Sequence, residues 1–230
     1  MTPDTLPDTL PDTLTAALAR HSIELPSPQV ELLDRYVRLL WQWNERLNLT
    51  RHTDYEKFVA RDVVDSLVFA QFLEPGETVL DVGTGGGVPG VVLAIVREDL
   101  RLELCESVGK KARAVADIVA GLALPLAVHH ARAENLLGAR RYDTLIVRAV
   151  ARLRKLLEWF APHWGQFGRL LMIKGPGWVE ERGEARHLGL LHGLALRKLT
   201  SYPLPGTQSS SVLLQVCPEQ HLSRTERPRG

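Results

Sequence analysis

At 230 residues, 45% hydrophobic and 24% charged, the chain suits one globular domain with a small appendage. Its net charge of +1 and its short apolar runs exclude a polybasic binder and a bilayer-spanning protein, so the expected compartment is the cytoplasm. Only two cysteines occur, Cys105 and Cys217, each within an apolar stretch, which predicts packed core thiols and neither a disulfide nor a metal site.

PDTL opens the chain three times over (Pro3–Leu6, Pro7–Leu10, Pro11–Leu14). Proline at every fourth residue forbids a stable helix, so residues 1–14 read as an extended, disordered tail. A short helix is expected from Leu14 to Arg20, ending before the turn at Pro26–Pro28. From Ser27 to Leu49 the positions Val30, Leu33, Val37, Leu40, Trp41 and Leu47 recur at three- and four-residue intervals, the mark of an amphipathic helix. A second helix is expected from Asp54, a candidate N-cap, to Leu73, with Phe58, Val59, Val63, Leu67 and Phe69 inward. Residues 15–75 thus predict a helical cap packed on the remainder of the chain. The first 34 residues hold six acids against Arg20, leaving 27 bases against 21 acids afterwards, a surplus of +6 that permits an RNA partner without requiring one.

After Pro75–Gly76, strand-like runs alternate with helical ones. The runs are 78–82, 102–106, 126–130, 144–150 and 169–174; the helical stretches include Pro89–Val96, Lys110–Leu122 and Arg154–Phe160. This alternation predicts an α/β domain over residues 76–218, built on a mostly parallel sheet covered on both faces. Runs at 194–204 and 211–217 flank PGTQSS with no room for a helix, which predicts an antiparallel C-terminal hairpin at one sheet edge. Residues 219–230 read as a flexible tail. His129 and His130 are neighbours in a strand-like run, so they face opposite sides and do not chelate one metal.

The stretch VLDVGTGGGVPGVVLAIV (Val79–Val96) carries the chemistry. A glycine-rich turn between strand and helix exposes backbone N–H groups at a positive helix end. Two registers compete. Gly85-x-Gly87-x-x-Gly90 fits the dinucleotide pattern, with Glu106 about twenty residues on to hold a ribose. Asp81-x-Gly83-x-Gly85-x-Gly87 fits the acid-then-glycines pattern of S-adenosylmethionine methyltransferases. The motif alone does not choose. S-adenosylmethionine carries a sulfonium cation and no phosphate, so an acid at the strand end suits it and would oppose a pyrophosphate. That acid and the antiparallel hairpin favour a Rossmann-like methyltransferase fold. Glu106 would then accept the ribose hydroxyls, and Arg132-Ala133-Glu134, after the third strand, lies where methyltransferases commonly place an adenine contact.

Several strings appear in one order: WNERLNLT (Trp43–Thr50), Arg61 with Asp65-Ser66, DVGTGGGVPG (Asp81–Gly90), SVGKKARAV (Ser107–Val115), VRAVA (Val147–Ala151) and IKGP (Ile173–Pro176). Together these resemble the RsmG family, also called GidB, over about residues 30–217. The resemblance implies transfer of a methyl group to N7 of a guanine in the 530-loop region of 16S ribosomal RNA, near the decoding centre. It implies that Gly83 and Val88 line the cofactor pocket, with Glu106, Ser107 and Val108 around the ribose, Ala133 and Glu134 beside the adenine, and Arg148 where cofactor and substrate meet. The chain departs from the pattern at Asp62, where the family commonly has histidine after Arg61, and at Gly86 and Val88 within the loop.

Guanine N7 carries a lone pair and no proton, so the reaction needs in-line positioning and no general base. Arg148, ending the fourth strand, is the leading catalytic candidate, its guanidinium suited to a phosphate or to guanine O6; a structural pairing with Glu134 or Asp143 is the alternative. Lys174, ending the fifth strand, is expected at the same rim. Asn48, Arg51 and Arg61 are placed to close over RNA, and Lys110, Lys111, Arg113, Arg140, Arg141, Arg152, Arg154 and Lys155 are candidate phosphate contacts. Trp41 lies on the apolar stripe and reads as core, whereas Trp43 is a candidate stacking platform. The expected partner is 16S rRNA or the small ribosomal subunit, bound by a monomer without metal or membrane. The rival reading is a methyltransferase of a small molecule or protein, with an extensive apolar pocket beside Gly83–Gly87 and no salt-dependent RNA affinity.

Overall fold

The computed structural model describes residues 12–204 and 209–221. The first two PDTL repeats, Pro11 and the end of the C-terminal tail therefore lie outside the described residues, as does most of the PGTQSS connection; the third repeat ends in structure, with Thr13 capping the helix that Leu14 begins. Five parallel-paired strands form in chain order: β1 (Thr78–Val82), β2 (Arg101–Glu106), β3 (Ala127–His130), β4 (Tyr142–Arg148) and β5 (Phe167–Lys174). The hairpin strands β6 (Leu194–Pro203) and β7 (Ser210–Pro218) complete one sheet of order β3-β2-β1-β4-β5-β7-β6, with β7 antiparallel to both neighbours. This is the expected mostly parallel sheet with an antiparallel C-terminal hairpin.

Alternation along the strands decides which residue meets which layer. Val79, Ile146, Leu171 and Ile173 point to one core, while Leu80, Leu145, Val147, Leu170 and Met172 point to the other. The first core is filled by α1 (Leu14–Arg20), α2 (Ser27–Asn44), the helical stretch from Tyr55 to Ala70, α5 (Gly90–Val96) and α6 (Gly109–Gly121). The second is filled by α7 (Ala133–Leu137), α8 (Leu153–Phe160) and α9 (Trp178–His187). Buried Leu33, Tyr36, Val37 and Leu40 of α2 and Phe58 and Phe69 join the same cluster as the sheet residues, so the helical cap shares the sheet's core. Cys105 and Cys217 are buried, and burial pushes the Cys105 thiol up to about 12. None of the helices among the described residues is long and apolar enough to cross a membrane.

Three boundaries differ from the sequence pattern. The helix from Ser27 ends at Asn44, because the Asn44 side chain accepts the N–H groups of Leu49 and Thr50 and turns the chain. The helix capped by Asp54 is composite: α3 (Tyr55–Lys57), a π-helical stretch from Phe58 to Val63, then α4 (Val64–Ala70). Strand β4 stops at Arg148, where Ala149 takes a left-handed φ of 54°. Two helices, α7 and α9, have no counterpart in the apolar periodicity; each carries few apolar positions, and α9 is charged on most of its surface.

Candidate active site

In the strand order the chain switches direction between β1 and β4, and ligands of open α/β sheets bind at such switch points, outside the strands' C-terminal ends. A cavity of about 430 Å³ opens there. Its floor is the β1–α5 loop (Gly83, Thr84, Gly85, Gly86, Val88), its flanks are Glu106–Ser107 after β2 and Arg148–Val150 after β4, and its roof is Leu40, Leu49–His52 and Asp62 from the cap.

The loop is held open from beneath. Asp81 is 1% exposed, and its Oδ2 accepts from the Thr84 hydroxyl at 2.6 Å and from the Gly90 N–H at 2.9 Å, so one carboxylate oxygen clasps both ends of the turn. Its Oδ1 is buried without a partner. Burial pushes this carboxyl up to about 6, against the pull of the Thr84 and Gly90 hydrogen bonds and of the Arg148 charge. Asp81 does not itself line the cavity and acts on it through the loop above. Gly83 has φ +68°, and a Cβ there would stand 2.8 Å from the Val150 side chain. Gly85 has φ +59°, and a Cβ there would meet nothing nearer than the Gly83 carbonyl at 3.9 Å, so the space it would enter is the cavity itself. Gly87 turns away, packed against Val91, Val115 and the Tyr36 hydroxyl.

Glu106 is buried at the end of β2, its Oε2 accepting from Gly85 N–H at 3.1 Å and its Oε1 from Val108 N–H at 2.8 Å. Glu106 lines the cavity flank beside Ser107, and a carboxylate accepting two bonds keeps further acceptor capacity. Val108 is exposed at the start of α6 and lies outside the cavity lining. Ala133 and Glu134 also lie outside it, on the first turn of α7; Ala131, two residues earlier, donates its N–H to the Glu106 carbonyl at 3.1 Å.

Arg148 reaches the cavity, but neither expected partner holds it. Its Nη2 meets Asp62 Oδ1 and its Nε meets Asp65 Oδ2, both at 2.7 Å, and the Tyr202 hydroxyl donates to Asp65 Oδ1 at 2.6 Å. Burial opposes the guanidinium charge, yet Asp62 and Asp65 outweigh it and hold the pKa above its ordinary value. Lys174 stands apart from the cavity lining. Its ammonium donates to the Ala151 carbonyl at 2.6 Å and to Glu181 at 2.8 Å, tying β5 to the loop after β4 and to α9, away from the cavity.

Sequence reasoning missed His52, Thr50 and the pairing role of Asp62. His52 lines the cavity, its Nδ1 lying 2.9 Å from both oxygens of Asp62. The available signal was the substitution at Asp62 itself: an acid stands where the resembling pattern has histidine, and a histidine stands ten residues upstream. Among the phosphate candidates, Arg140, Arg152 and Arg154 are ion-paired with Glu103, Glu184 and Glu158 respectively. Arg51 and Lys111 line the cavity mouth, and among the described residues neither meets an acid.

The family model described as rRNA small subunit methyltransferase G matches residues 29–203. A Rhodopirellula baltica protein named Ribosomal RNA small subunit methyltransferase G is 51% identical over 188 residues, covering 82% of this chain and 81% of the relative. Proteins of the same name from Chromobacterium violaceum and Thermotoga maritima are each 33% identical, covering 86% and 92% of this chain and 93% and 90% of their own lengths. Among solved structures, an MtNAS variant in complex with S-adenosylmethionine matches with a TM-score of 0.52 at 16% identity, covering 83% of this chain and 77% of its own. M. capricolum TrmK in complex with S-adenosylhomocysteine matches with a TM-score of 0.53 at 10% identity, covering 67% and 68%. At such identities the structural likeness speaks for the fold alone.

Proposed function

As this chain belongs to the rRNA small subunit methyltransferase G family, we propose that it transfers the methyl group of S-adenosylmethionine to N7 of a guanine in the 530-loop region of 16S rRNA. The observation that carries the reading is the cavity at the β1/β4 switch point, whose floor is a glycine turn clasped by a buried acid. The residues present fit the cofactor. Open space over Gly85 takes a bulky nucleoside, Glu106 has acceptor capacity for ribose hydroxyls, and the carboxylates of Asp81 and Glu106 favour a cation. Ser107 extends that flank, and Ala133 and Glu134, on the first turn of α7, would meet the adenine end.

When bound, S-adenosylmethionine supplies an electrophilic methyl group on a sulfonium. The protein's own work is orientation. N7 has no proton to remove, and among the described residues no side chain of the cavity is placed as a nucleophile: the lining holds no cysteine, and its one serine, Ser107, is not hydrogen-bonded to His52, whose ring nitrogen Nδ1 is turned to Asp62. Arg148, fixed by two carboxylates, presents a planar cation at the junction of loop and cap, where guanine O6 lies next to N7. The arrangement thus supports in-line transfer set up by positioning. Arg51 and Lys111 at the mouth suit the phosphates on either side of the target nucleotide.

The test is direct. Small subunits lacking the modification, incubated with the protein and methyl-labelled S-adenosylmethionine, are expected to carry label at one guanine N7 in the 530 loop. Label elsewhere, or none under conditions where the cofactor binds, would remove this reading.

A further inference from the structure

His52 is held at every polar atom but one. Its backbone N–H donates to the Thr50 hydroxyl at 3.0 Å, and its carbonyl accepts from the Trp41 indole N–H at 2.8 Å. Its Nδ1 sits 2.9 Å from both oxygens of Asp62, a carboxylate only 2% exposed and itself fixed by Arg148 at 2.7 Å. A carboxylate is an acceptor, so Nδ1 carries the ring proton and Nε2 of the neutral ring is left with an open lone pair. The ring is 24% exposed and borders the same cavity as Gly83–Gly86 and Glu106. So many restraints on one cavity-lining imidazole, with Nε2 left without a partner among the described residues, mark a presented group.

We propose that His52 is a positioning and specificity residue for the target base, its Nε2 accepting a hydrogen bond from the N1–H on the Watson–Crick edge of guanine. This deepens the guanine-N7 reading and rests on it. The geometry of guanine supplies the reason: N7 and N1 lie on opposite sides of the ring, so a base held between the glycine loop and the cap offers N7 to one and N1–H to the other. Adenine has no hydrogen on N1 and would leave His52 facing another acceptor. The bond also acts on the rate. As N7 takes the methyl group, the purine gains positive charge and its N1–H becomes a stronger donor, so the hydrogen bond strengthens toward the transition state.

Wild type, His52→Ala and His52→Gln are compared on unmodified small subunits. His52→Ala is expected to lower kcat/KM roughly 10- to 100-fold, chiefly through kcat. Its affinity for S-adenosylmethionine and for RNA, measured by titration, is expected to stay within about 2-fold, since neither the loop nor the phosphate contacts change. Glutamine sets an amide oxygen where Nε2 stood, and so is expected to recover most of kcat. Near-normal kcat in His52→Ala, or a kcat in His52→Gln as low as in His52→Ala, overturns the proposal. If the wild type labels no guanine N7, the underlying reading falls as well; if it does label one and His52→Ala labels it equally, only the role of His52 falls.

Discussion

Asp81 shows how one buried side chain couples loop shape to charge. Its carboxyl is raised from an ordinary value near 3.8 to about 6, chiefly by burial. A folded value above the unfolded one means that ionisation works against the fold. The stability this group contributes is complete below about pH 3.8 and is lost as pH rises through about 6. A cation bound above the loop acts the other way, because it favours the carboxylate. S-adenosylmethionine affinity is accordingly expected to rise from about pH 5 to about pH 7, with protons released on binding. Replacing Asp81 with Asn keeps an acceptor for Gly90 and Thr84 while removing the titration, so the rise should flatten. Calorimetric titration in buffers of differing ionisation enthalpy checks this; an unchanged slope in Asp81→Asn would exclude the coupling.

The composite helix from Tyr55 to Ala70 shows what an element can do that its residues cannot do singly. Its π-helical stretch and α4 bring Asp62 and Asp65 together on Arg148, so cap and sheet are bolted through two buried carboxylates and one partly buried guanidinium. Removing one partner of such a cluster strands the others in a poorly solvated site. Arg148→Ala is expected to cost roughly 3 to 5 kcal/mol of stability as well as activity. Urea unfolding of Arg148→Ala, with Arg148→Ala/Asp62→Asn/Asp65→Asn partly restoring the midpoint, checks it; an unshifted midpoint in the single variant would show the cluster to be dispensable. The same element marks the limit of the sequence pattern. The strand alternation and the glycine turn were legible because period-2 burial and left-handed glycines leave local signatures, as at Val79–Gly87. The partners of Arg148 lie 83 and 86 residues away from it, and nothing local distinguishes Asp65 from a solvated helix acid. Lys174 shows the reverse: it does end a strand, as its place in the sequence implies, but Glu181 and the Ala151 carbonyl have taken its charge. His52 sits in a polar loop without periodicity, and only folding brings it to Asp62.

At the scale of the molecule, a net charge of +1 is a poor guide to RNA affinity, because what matters is which cations remain available around the cavity. Arg140, Arg152 and Arg154 are neutralised locally by Glu103, Glu184 and Glu158, whereas Arg51 and Lys111 border the mouth without an acidic partner among the described residues. Each phosphate that a cation engages releases counterions, so the logarithm of affinity falls linearly with the logarithm of salt concentration. Replacing Arg51 and Lys111 together by Ala is expected to reduce that slope by about 2, roughly 1 for each cation removed. Arg154→Ala, which breaks pairs with Glu158 and Glu184 at the far side of α8, should leave the slope nearly unchanged. Filter binding of a 530-loop RNA between about 50 and about 200 mM salt separates the two, since that range spans a large change in affinity for a phosphate-binding protein. Equal slopes in all three proteins would place the RNA elsewhere on the surface, and a wild type without any slope would favour a small-molecule or protein substrate in the same cavity.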